Sequence, residues 1–197
     1  MTKQALRKIY KEKRLNISSK DKLKYDDLML IQFQQFDFGN AESLLTYWPM
    51  AHSNEPNTQL FTAYLRHSIP NLQIAYPVVD AITETMNAIL INEETVYHTS
   101  TYGITEPKEG TIIDPVEFDI ILVPQLICDS KGYRVGFGKG YYDKYLPYCR
   151  EDAVTIGFNY FEPIDNIIDA NEFDVPLNYC ITPQQIYEFL YTILKIV

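Results

Sequence analysis

The sequence contains no uninterrupted apolar run near the roughly 18 residues that a membrane-spanning helix requires. It begins with a charged segment, whereas a secretion signal has an apolar centre. Its three cysteines are widely spaced and lack a CxxC pair, so neither a disulfide framework nor a zinc site is indicated. Its three histidines lack the HxH and HxxxH spacings of metal sites, and we assign them no catalytic role. We expect a cytoplasmic protein that does not contact a membrane.

The length and composition are those of a compact globular protein. With 197 residues, of which 46% are hydrophobic, the chain is long enough to bury a substantial core. No internal repeat, low-complexity tract or clear linker divides it. We therefore predict a single domain over residues 1–197, and we expect a monomer.

Charge is distributed unevenly along the chain. Residues 1–24 contain nine Lys/Arg and two Asp/Glu, whereas the rest is acidic and brings the net charge to −9. Lys3, Arg7, Lys11 and Arg14 recur at spacings of three or four and share one face of a predicted helix. A basic face of this kind is often simply solvated. The acidic remainder would repel a polyanion and no nucleic-acid motif is present, so we expect no nucleic-acid partner.

The segment Gly132–Leu146, GYRVGFGKGYYDKYL, is the most informative part of the chain. Glycines at alternate positions, Gly136, Gly138 and Gly140, allow positive φ and close approach of backbone N–H groups to an anion. The segment is not a Walker A loop, because no Gly-Lys-Ser/Thr ends it, and its third glycine is one residue early for GxGxxG. A flexible surface turn is the alternative interpretation.

Charged side chains in the same segment favour a phosphate site. Arg134 offers a planar fork and Lys139 a compact point charge, both suited to phosphate oxygens. Asp143 is a candidate ligand for Mg²⁺, which takes only one or two protein carboxylates and completes its shell with water and phosphate oxygens. Glycines, cations and an acid together predict a site for a phosphate and its metal ion.

Apolar periodicity predicts alternating helices and strands. After the basic helix, Ser18 or Ser19 is expected to cap a second helix that runs to about Phe36. Its predicted core-facing positions are Leu23, Leu28, Ile31 and Phe36. Further helices are predicted at Asn57–His67, Gly140–Tyr148 and Pro183–Leu194. Strands are predicted at Ser43–Trp48, Gln73–Val79, Ala88–Ile91, Phe118–Val123, Ala153–Phe158 and Asn178–Ile181.

Such alternation predicts a three-layer α/β/α fold, with a mostly parallel central sheet and helices on both faces. Phe118–Val123 is the predicted central strand, because its Ile-Ile-Leu-Val run leaves no polar face for solvent. Ligands bind beyond the carboxyl ends of such strands. Pro124 and the loop that follows are therefore expected at the active site.

The glycine–tyrosine–aspartate run resembles the signature of the 5-formyltetrahydrofolate cyclo-ligases, also called 5,10-methenyltetrahydrofolate synthetases. Four further elements occur in the order typical of that family and span nearly the whole chain. They are the Lys-x-x-x-Arg element from Lys3 to Arg7, the turn from Asn54 to Thr58, the segment from Gly103 to Pro107, and the strand end Val123-Pro124.

The resemblance implies roles for individual residues. Lys139 and Arg134 would act in catalysis, and the Glu55 carboxylate would accept N–H groups of the pterin. Residues implied around ATP are Lys3, Gln4, Ala5, Leu6, Arg7, Arg134, Val135, Gly136, Phe137, Gly138, Lys139, Gly140, Tyr141 and Tyr142. Residues implied around the folate are Arg7, Met50, Glu55, Phe137, Gly138, Lys139, Gly140 and Tyr141. The metal ligands would be Asp143 and Asp174, with Asp165 and Asp169 as nearby alternatives to the second.

The resemblance also implies a reaction, the ATP- and Mg²⁺-dependent cyclisation of 5-formyltetrahydrofolate to 5,10-methenyltetrahydrofolate, with release of ADP and phosphate. The formyl oxygen would first be phosphorylated, and N10 would then attack the formyl carbon. Two other interpretations remain. One is a diverged ATP-dependent enzyme that acts on another small metabolite, and the other is a nucleotide- or folate-binding protein without catalysis.

Overall fold

A computed structural model of the protein describes residues 1–100 and 103–189. Its helices begin where the sequence supplies caps: the side chains of Thr2 and Ser18 accept the backbone N–H groups of Ala5 and Asp21. The helices are α1 (Lys3–Leu15), α2 (Ser19–Phe33), α3 (Thr58–Ser68) and α4 (Tyr141–Tyr145), and one-turn 3-10 helices lie at Ala51–Ser53, Pro115–Glu117 and Leu146–Tyr148. Within these residues no helix combines the length and apolar character needed to cross a membrane.

The strands are short, and most of them are apolar. All six predicted strands overlap observed ones, whereas the additional strands have only two or three residues each. The strands are β1 (Ser43–Leu45), β2 (Gln73–Asp80), β3 (Thr85–Leu90), β4 (Tyr97–Thr99), β5 (Thr105–Pro107), β6 (Ile112–Ile113), β7 (Ile120–Leu122), β8 (Ile127–Cys128), β9 (Arg134–Val135), β10 (Val154–Phe158), β11 (Tyr179–Ile181) and β12 (Ile186–Glu188).

Eight strands form the central sheet in the order β12-β11-β10-β7-β1-β2-β3-β6. The inner strands β11, β10, β7, β1 and β2 pair in parallel. The outer strands β12, β3 and β6 pair antiparallel. The predicted mostly parallel sheet is confirmed, and β7 lies at its centre. Two small antiparallel hairpins, β4–β5 and β8–β9, lie outside it.

Both faces of the sheet are buried, as expected for parallel strands. Neighbouring residues of β1 belong to different cores, because successive side chains point to opposite faces: Leu44 to one and Leu45 to the other. The first face is covered by α2 and α3, whose buried apolar side chains are Met29, Phe33, Phe61 and Leu65. The second is covered by α4 and the turn after it, through Tyr145 and Leu146. Helices therefore lie on both faces.

The prediction for the inner face of α2 was wrong in part. Leu23 and Ile31 are 66% and 56% exposed, and the helix ends at Phe33. Its buried face instead includes Asp26 and Phe33. The Asp26 carboxylate accepts the hydroxyl of Tyr160 at 2.9 Å, so an acid occupies a core position. Because an acid interrupts the buried stripe of α2, hydrophobic periodicity alone did not identify that stripe.

The predicted helix at Pro183–Leu194 is also wrong within the described residues, and residues 190–194 of it lie outside them. The chain turns back there and forms β12, antiparallel to β11. The turn is held by Thr182, whose hydroxyl oxygen accepts the backbone N–H groups of Gln184 and Gln185 at 3.3 and 3.2 Å. Such local side-chain bonds favour a turn over a helix.

Candidate active site

A cleft of about 710 Å³ opens beyond the carboxyl ends of β1 and β7. Tyr47 and Trp48, which follow β1, and Pro124, which follows β7, line it. The loop that connects β9 to α4 forms another part of the wall. The structure therefore places Pro124 and the glycine-rich segment together, at the end of the sheet where parallel α/β proteins bind ligands.

Helix α1 lines the cleft with all four cations of its basic face, Lys3, Arg7, Lys11 and Arg14. Its apolar side docks elsewhere: Leu6 is buried in a separate core with residues of β8, β9 and the segment around residue 167. An amphipathic helix is therefore fixed by one side and presents its positive side to the cleft. The alternative of a merely solvated basic face does not fit this arrangement.

The glycine-rich loop approaches α1 closely. Arg7 Nε donates to the carbonyl oxygen of Gly136 at 2.9 Å. Gly138 and Gly140 have φ values of +98° and +71°, a region that side chains with a Cβ rarely adopt. A Cβ at position 138 would also lie 3.1 Å from Arg7 Cζ. The backbone conformation therefore favours glycine at Gly138, and a Cβ there would also displace the Arg7 guanidinium slightly.

Replacement of Gly138 by alanine is expected to destabilise the protein by roughly 1–2 kcal/mol, because a Cβ is unfavourable at this positive φ. In a chain of this size the melting temperature should fall by about 2–8 °C, which calorimetry would measure. Gly136→Ala is the matched control, since a Cβ there meets no atom within 4 Å. Equal melting temperatures for the two variants would contradict the prediction.

Two aspartates line the cleft, each beside a cation. Asp143 Oδ1 accepts Arg134 Nη2 at 3.0 Å and the backbone N–H of Val175 at 3.1 Å. Asp174, the residue before Val175, accepts the Lys3 ammonium with both of its oxygens. Burial lowers the pKa of the Arg134 guanidinium, and Asp143 opposes that effect. The start of α1, helix α4 and the segment before β11 therefore meet at one end of the cleft.

Asp143 and Asp174 provide the hard oxygen donors that Mg²⁺ prefers, and an ion with few protein ligands fits them. Among the described residues no group of three or more His, Cys, Asp or Glu side chains is arranged to hold a metal ion. Most of the coordination shell would thus come from phosphate oxygens and water. Of the alternative acids, Asp169 accepts the backbone N–H of Lys3 at 2.7 Å, and neither it nor Asp165 lines the cleft.

Glu55 lies at the other end of the cleft and is only 3% exposed. Its Oε2 accepts the backbone N–H of Met50 at 2.7 Å. Its Oε1 lies 3.8 Å from Nη2 of Arg14. Burial raises the pKa of the Glu55 carboxyl, and the Arg14 guanidinium opposes the rise. This end therefore presents a desolvated hydrogen-bond acceptor.

An apolar wall adjoins Glu55. The Trp48 ring lies 5.4 Å from the ring of Tyr97 and 6.1 Å from that of Tyr76, between ring centroids. Other apolar side chains of the wall are Met50, Pro77, Val79, Met86 and Ile104. A flat ring with N–H donors would fit this end, while an anion would fit the end formed by α1 and the glycine-rich loop.

Most of the residues that the resemblance implied lie in this single cleft. They are Lys3, Arg7, Met50, Glu55, Arg134, Gly136, Phe137, Gly138, Lys139, Gly140, Tyr141, Tyr142, Asp143 and Asp174. Four others do not line it. Leu6 and Val135 are buried in the core beneath α1, and Gln4 and Ala5 are exposed.

Several other residues of the cleft were not predicted as site residues. Lys11 and Arg14 were noted only for their helical face, and the continued spacing of three and four residues was the available signal. Glu106 is 4% exposed and lines the cleft, with Oε1 3.4 Å from His98 Nε2. Its Oε2 is buried without a hydrogen-bond partner. Burial raises the pKa of Glu106, and His98 opposes the rise.

The sheet and its cleft define an α/β protein with a site lined by cations, acids and an apolar wall. Residues 1–183 match the model of the 5-formyltetrahydrofolate cyclo-ligase family, and the chain belongs to this family of enzymes. It is 29% identical over 188 residues to the 5-formyltetrahydrofolate cyclo-ligase of Mycoplasma pneumoniae, covering 93% of this chain and 100% of that protein.

Solved structures share the fold. The NMR structure of Aquifex aeolicus 5,10-methenyltetrahydrofolate synthetase is similar in fold, with a TM-score of 0.78 and 24% identity over the whole of both chains. A 5,10-methenyltetrahydrofolate synthetase from Mycoplasma pneumoniae matches with a TM-score of 0.72 and 26% identity, over 93% of this chain and 99% of that one.

Proposed function

We propose that the protein converts 5-formyltetrahydrofolate to 5,10-methenyltetrahydrofolate with consumption of ATP, in the presence of Mg²⁺. One observation carries the proposal. A single cleft joins the cations of α1 and the glycine-rich loop to the buried carboxylate of Glu55 and its apolar wall. Family membership supports the same reaction.

ATP is proposed to bind at the end where α1 meets the glycine-rich loop. Lys3, Arg7 and Arg134 bring positive charge there, and Lys139 extends it along the loop. Mg²⁺ would be held by Asp143, with Asp174 as a second ligand, and when bound it neutralises charge on the phosphates. Backbone N–H groups of residues 136–140 complete a site of the kind that cradles anions.

The folate is proposed to bind at the Glu55 end. Its pterin carries amino and ring N–H donors, which a carboxylate accepts, and the ring fits the apolar wall. Met50 supplies part of that wall, and Phe137 and Tyr141 line the cleft from the glycine-rich loop. The N5-formyl group would then point towards the ATP end.

This arrangement fits the chemistry of the cyclisation. A formyl amide oxygen is a poor leaving group, so it must be converted before N10 can close the ring. Transfer of the γ-phosphoryl group to that oxygen makes it a good leaving group; N10 then attacks the carbon, and phosphate departs. The protein contributes positioning and charge stabilisation, for which Lys139 and Arg134 are the proposed groups.

The test is to mix purified protein with 5-formyltetrahydrofolate and Mg-ATP and to follow the near-ultraviolet absorbance of the methenyl product. We expect ATP-dependent product formation that collapses in Asp143→Asn, because that carboxylate anchors Arg134 and is the proposed metal ligand. Asp165→Asn is the matched control, since Asp165 does not line the cleft, and it should retain activity.

The same assay separates the alternatives. ADP release without the methenyl product would indicate an ATP-dependent enzyme that acts on another metabolite. Binding of nucleotide or folate without turnover of either would indicate a binding protein. Full activity of Asp143→Asn would remove Asp143 from the proposed metal site.

A further inference from the structure

Arg14 is a charged side chain to which the proposed ATP site gives no role. It lies in the last turn of α1, lines the cleft and is only 2% exposed. Its Nε donates to the Ser53 carbonyl at 2.8 Å, and its Nη1 donates to the Gln125 carbonyl at 3.2 Å. Burying a guanidinium is costly unless it is paired. A role in the site would account for keeping the charge there.

The position of Arg14 is defined by the segments that it joins. Ser53 precedes the turn that carries Glu55, and Gln125 follows β7, so one side chain ties α1 to both. Asn54 fixes the same turn from the other side, because its Nδ2 donates to the Arg14 carbonyl at 2.8 Å. Asn54 has φ of +51°, a left-handed conformation that asparagine tolerates. Glu55 is therefore held in a tightly constrained turn.

Charged and titratable groups face Glu55 from several elements. They are Arg14 of α1, Lys22 of α2, Tyr47 after β1 and Tyr142 of α4. Burial raises the pKa of Glu55 most strongly, and Arg14 provides the largest opposing effect. Nη2 of Arg14 is buried without a hydrogen-bond partner and lies 3.8 Å from Glu55 Oε1. The pair is therefore in Coulombic contact without a direct hydrogen bond.

We propose that Arg14 is a positioning residue, which anchors the Glu55 carboxylate and keeps it negatively charged at the folate end of the cleft. The inference rests on the proposed function, because it takes the folate to be the ligand that the Glu55 carboxylate binds. Arg14 acts through Glu55 and through the backbone of its turn, and it takes no part in phosphoryl transfer.

The test uses the full chain with Arg14→Met, Glu55→Gln and the double variant, assayed between pH 6 and pH 9. In Arg14→Met we expect the KM for 5-formyltetrahydrofolate to rise at least tenfold at pH 7, while the KM for ATP changes less than twofold. Without Arg14 the pKa of Glu55 rises further, so the carboxylate is charged only at higher pH. The tenfold defect should therefore shrink as pH rises, whereas the native enzyme should show no such recovery.

The double variant and a control show whether the effect comes from the pair of Arg14 and Glu55. In the double variant no ionisable group remains at this position, so the KM for folate should be high and independent of pH. Lys8→Met removes a cation from an exposed position of the same helix that does not line the cleft, and its KM values should match the native ones. Arg14→Lys keeps the charge but loses the fork, so its KM for folate should rise without a pH-dependent recovery.

A binding measurement makes the test independent of turnover. Trp48 is the single tryptophan of the chain and lines the cleft, so its fluorescence should report folate binding directly. If Arg14→Met does not fold, Arg14→Lys provides the test by the same titration: its affinity for folate should fall while its KM for ATP stays native, and an unchanged affinity for folate would overturn the proposal. A defect in Arg14→Met that is equal at all pH values, or that affects ATP and folate alike, would overturn the role of Arg14. It would leave the proposed function of the protein standing. Absence of folate binding by the native protein would overturn the proposed function as well.

Discussion

Replacement of Lys139 by alanine is expected to remove roughly 2–4 kcal/mol of transition-state stabilisation, the cost of losing one preorganised electrostatic group. This corresponds to a decrease in kcat/KM of about 30- to 1,000-fold. Lys139 lies between two glycines of the loop that lines the cleft, where it can follow the charge that develops on the transferred phosphoryl group. Steady-state kinetics with varied ATP would measure the effect.

Lys144→Ala is the matched control for this variant. Lys144 belongs to α4, pairs with Glu84 at 2.8 Å and does not line the cleft, so its loss should leave kcat/KM within a few-fold of the native value. A similar decrease in both variants would mean that general positive charge near the loop is responsible. Unchanged turnover in Lys139→Ala would remove Lys139 from the mechanism.

Replacement of Phe33 by alanine is expected to lower the free energy of unfolding by about 3–5 kcal/mol, because it leaves a large cavity in a dense core. Phe33 is fully buried. Its ring contacts five others, those of Phe36, Phe38, Phe61, Tyr64 and Phe158. Chemical denaturation would measure the loss, and the midpoint should shift with little change in slope.

Leu23→Ala in the same helix gives the contrast. Leu23 is 66% exposed, so its truncation should change the free energy of unfolding by no more than about 0.5 kcal/mol. A large loss on truncating Leu23, together with a small one for Phe33, would mean that α2 packs on the sheet by the opposite face.

The central fold could be predicted because its signals are local. The run in β7 is apolar at every position, which is typical of a strand buried on both faces. Strands such as β8 and β12 could not be predicted, because two or three residues carry no periodicity and pair only when the chain brings a partner to them. The buried face of α2 was missed for a related reason: Asp26 is tolerated in the core because its carboxylate is bound by Lys22, by the backbone N–H of Asn57 and by the distant Tyr160.

The candidate site, too, could be predicted from the sequence only in part. The glycine-rich loop is contiguous, so its cations and glycines could be recognised together. The choice of Asp174 over Asp165 and Asp169 depended on the resemblance, because three nearby acids look alike until the path of the chain places one of them in the cleft. The contact between Arg14 and Glu55 joins segments that are far apart in the sequence, so the two residue types alone do not indicate it. Glu106 could be recognised as a residue of the cleft only from the structure, which buries it in the cleft wall.

The docking of α1 has a consequence for the order in which the protein becomes functional. Lys3 contacts a residue 171 positions later, and Arg7 contacts one 129 positions later. During synthesis at about 5–20 residues per second, α1 therefore waits on the order of 10 s for its partners, with Leu6 and Tyr10 uncovered. Until α1 docks, the cations that it contributes to the cleft are missing, so a newly made chain that has not formed these contacts still lacks its candidate active site.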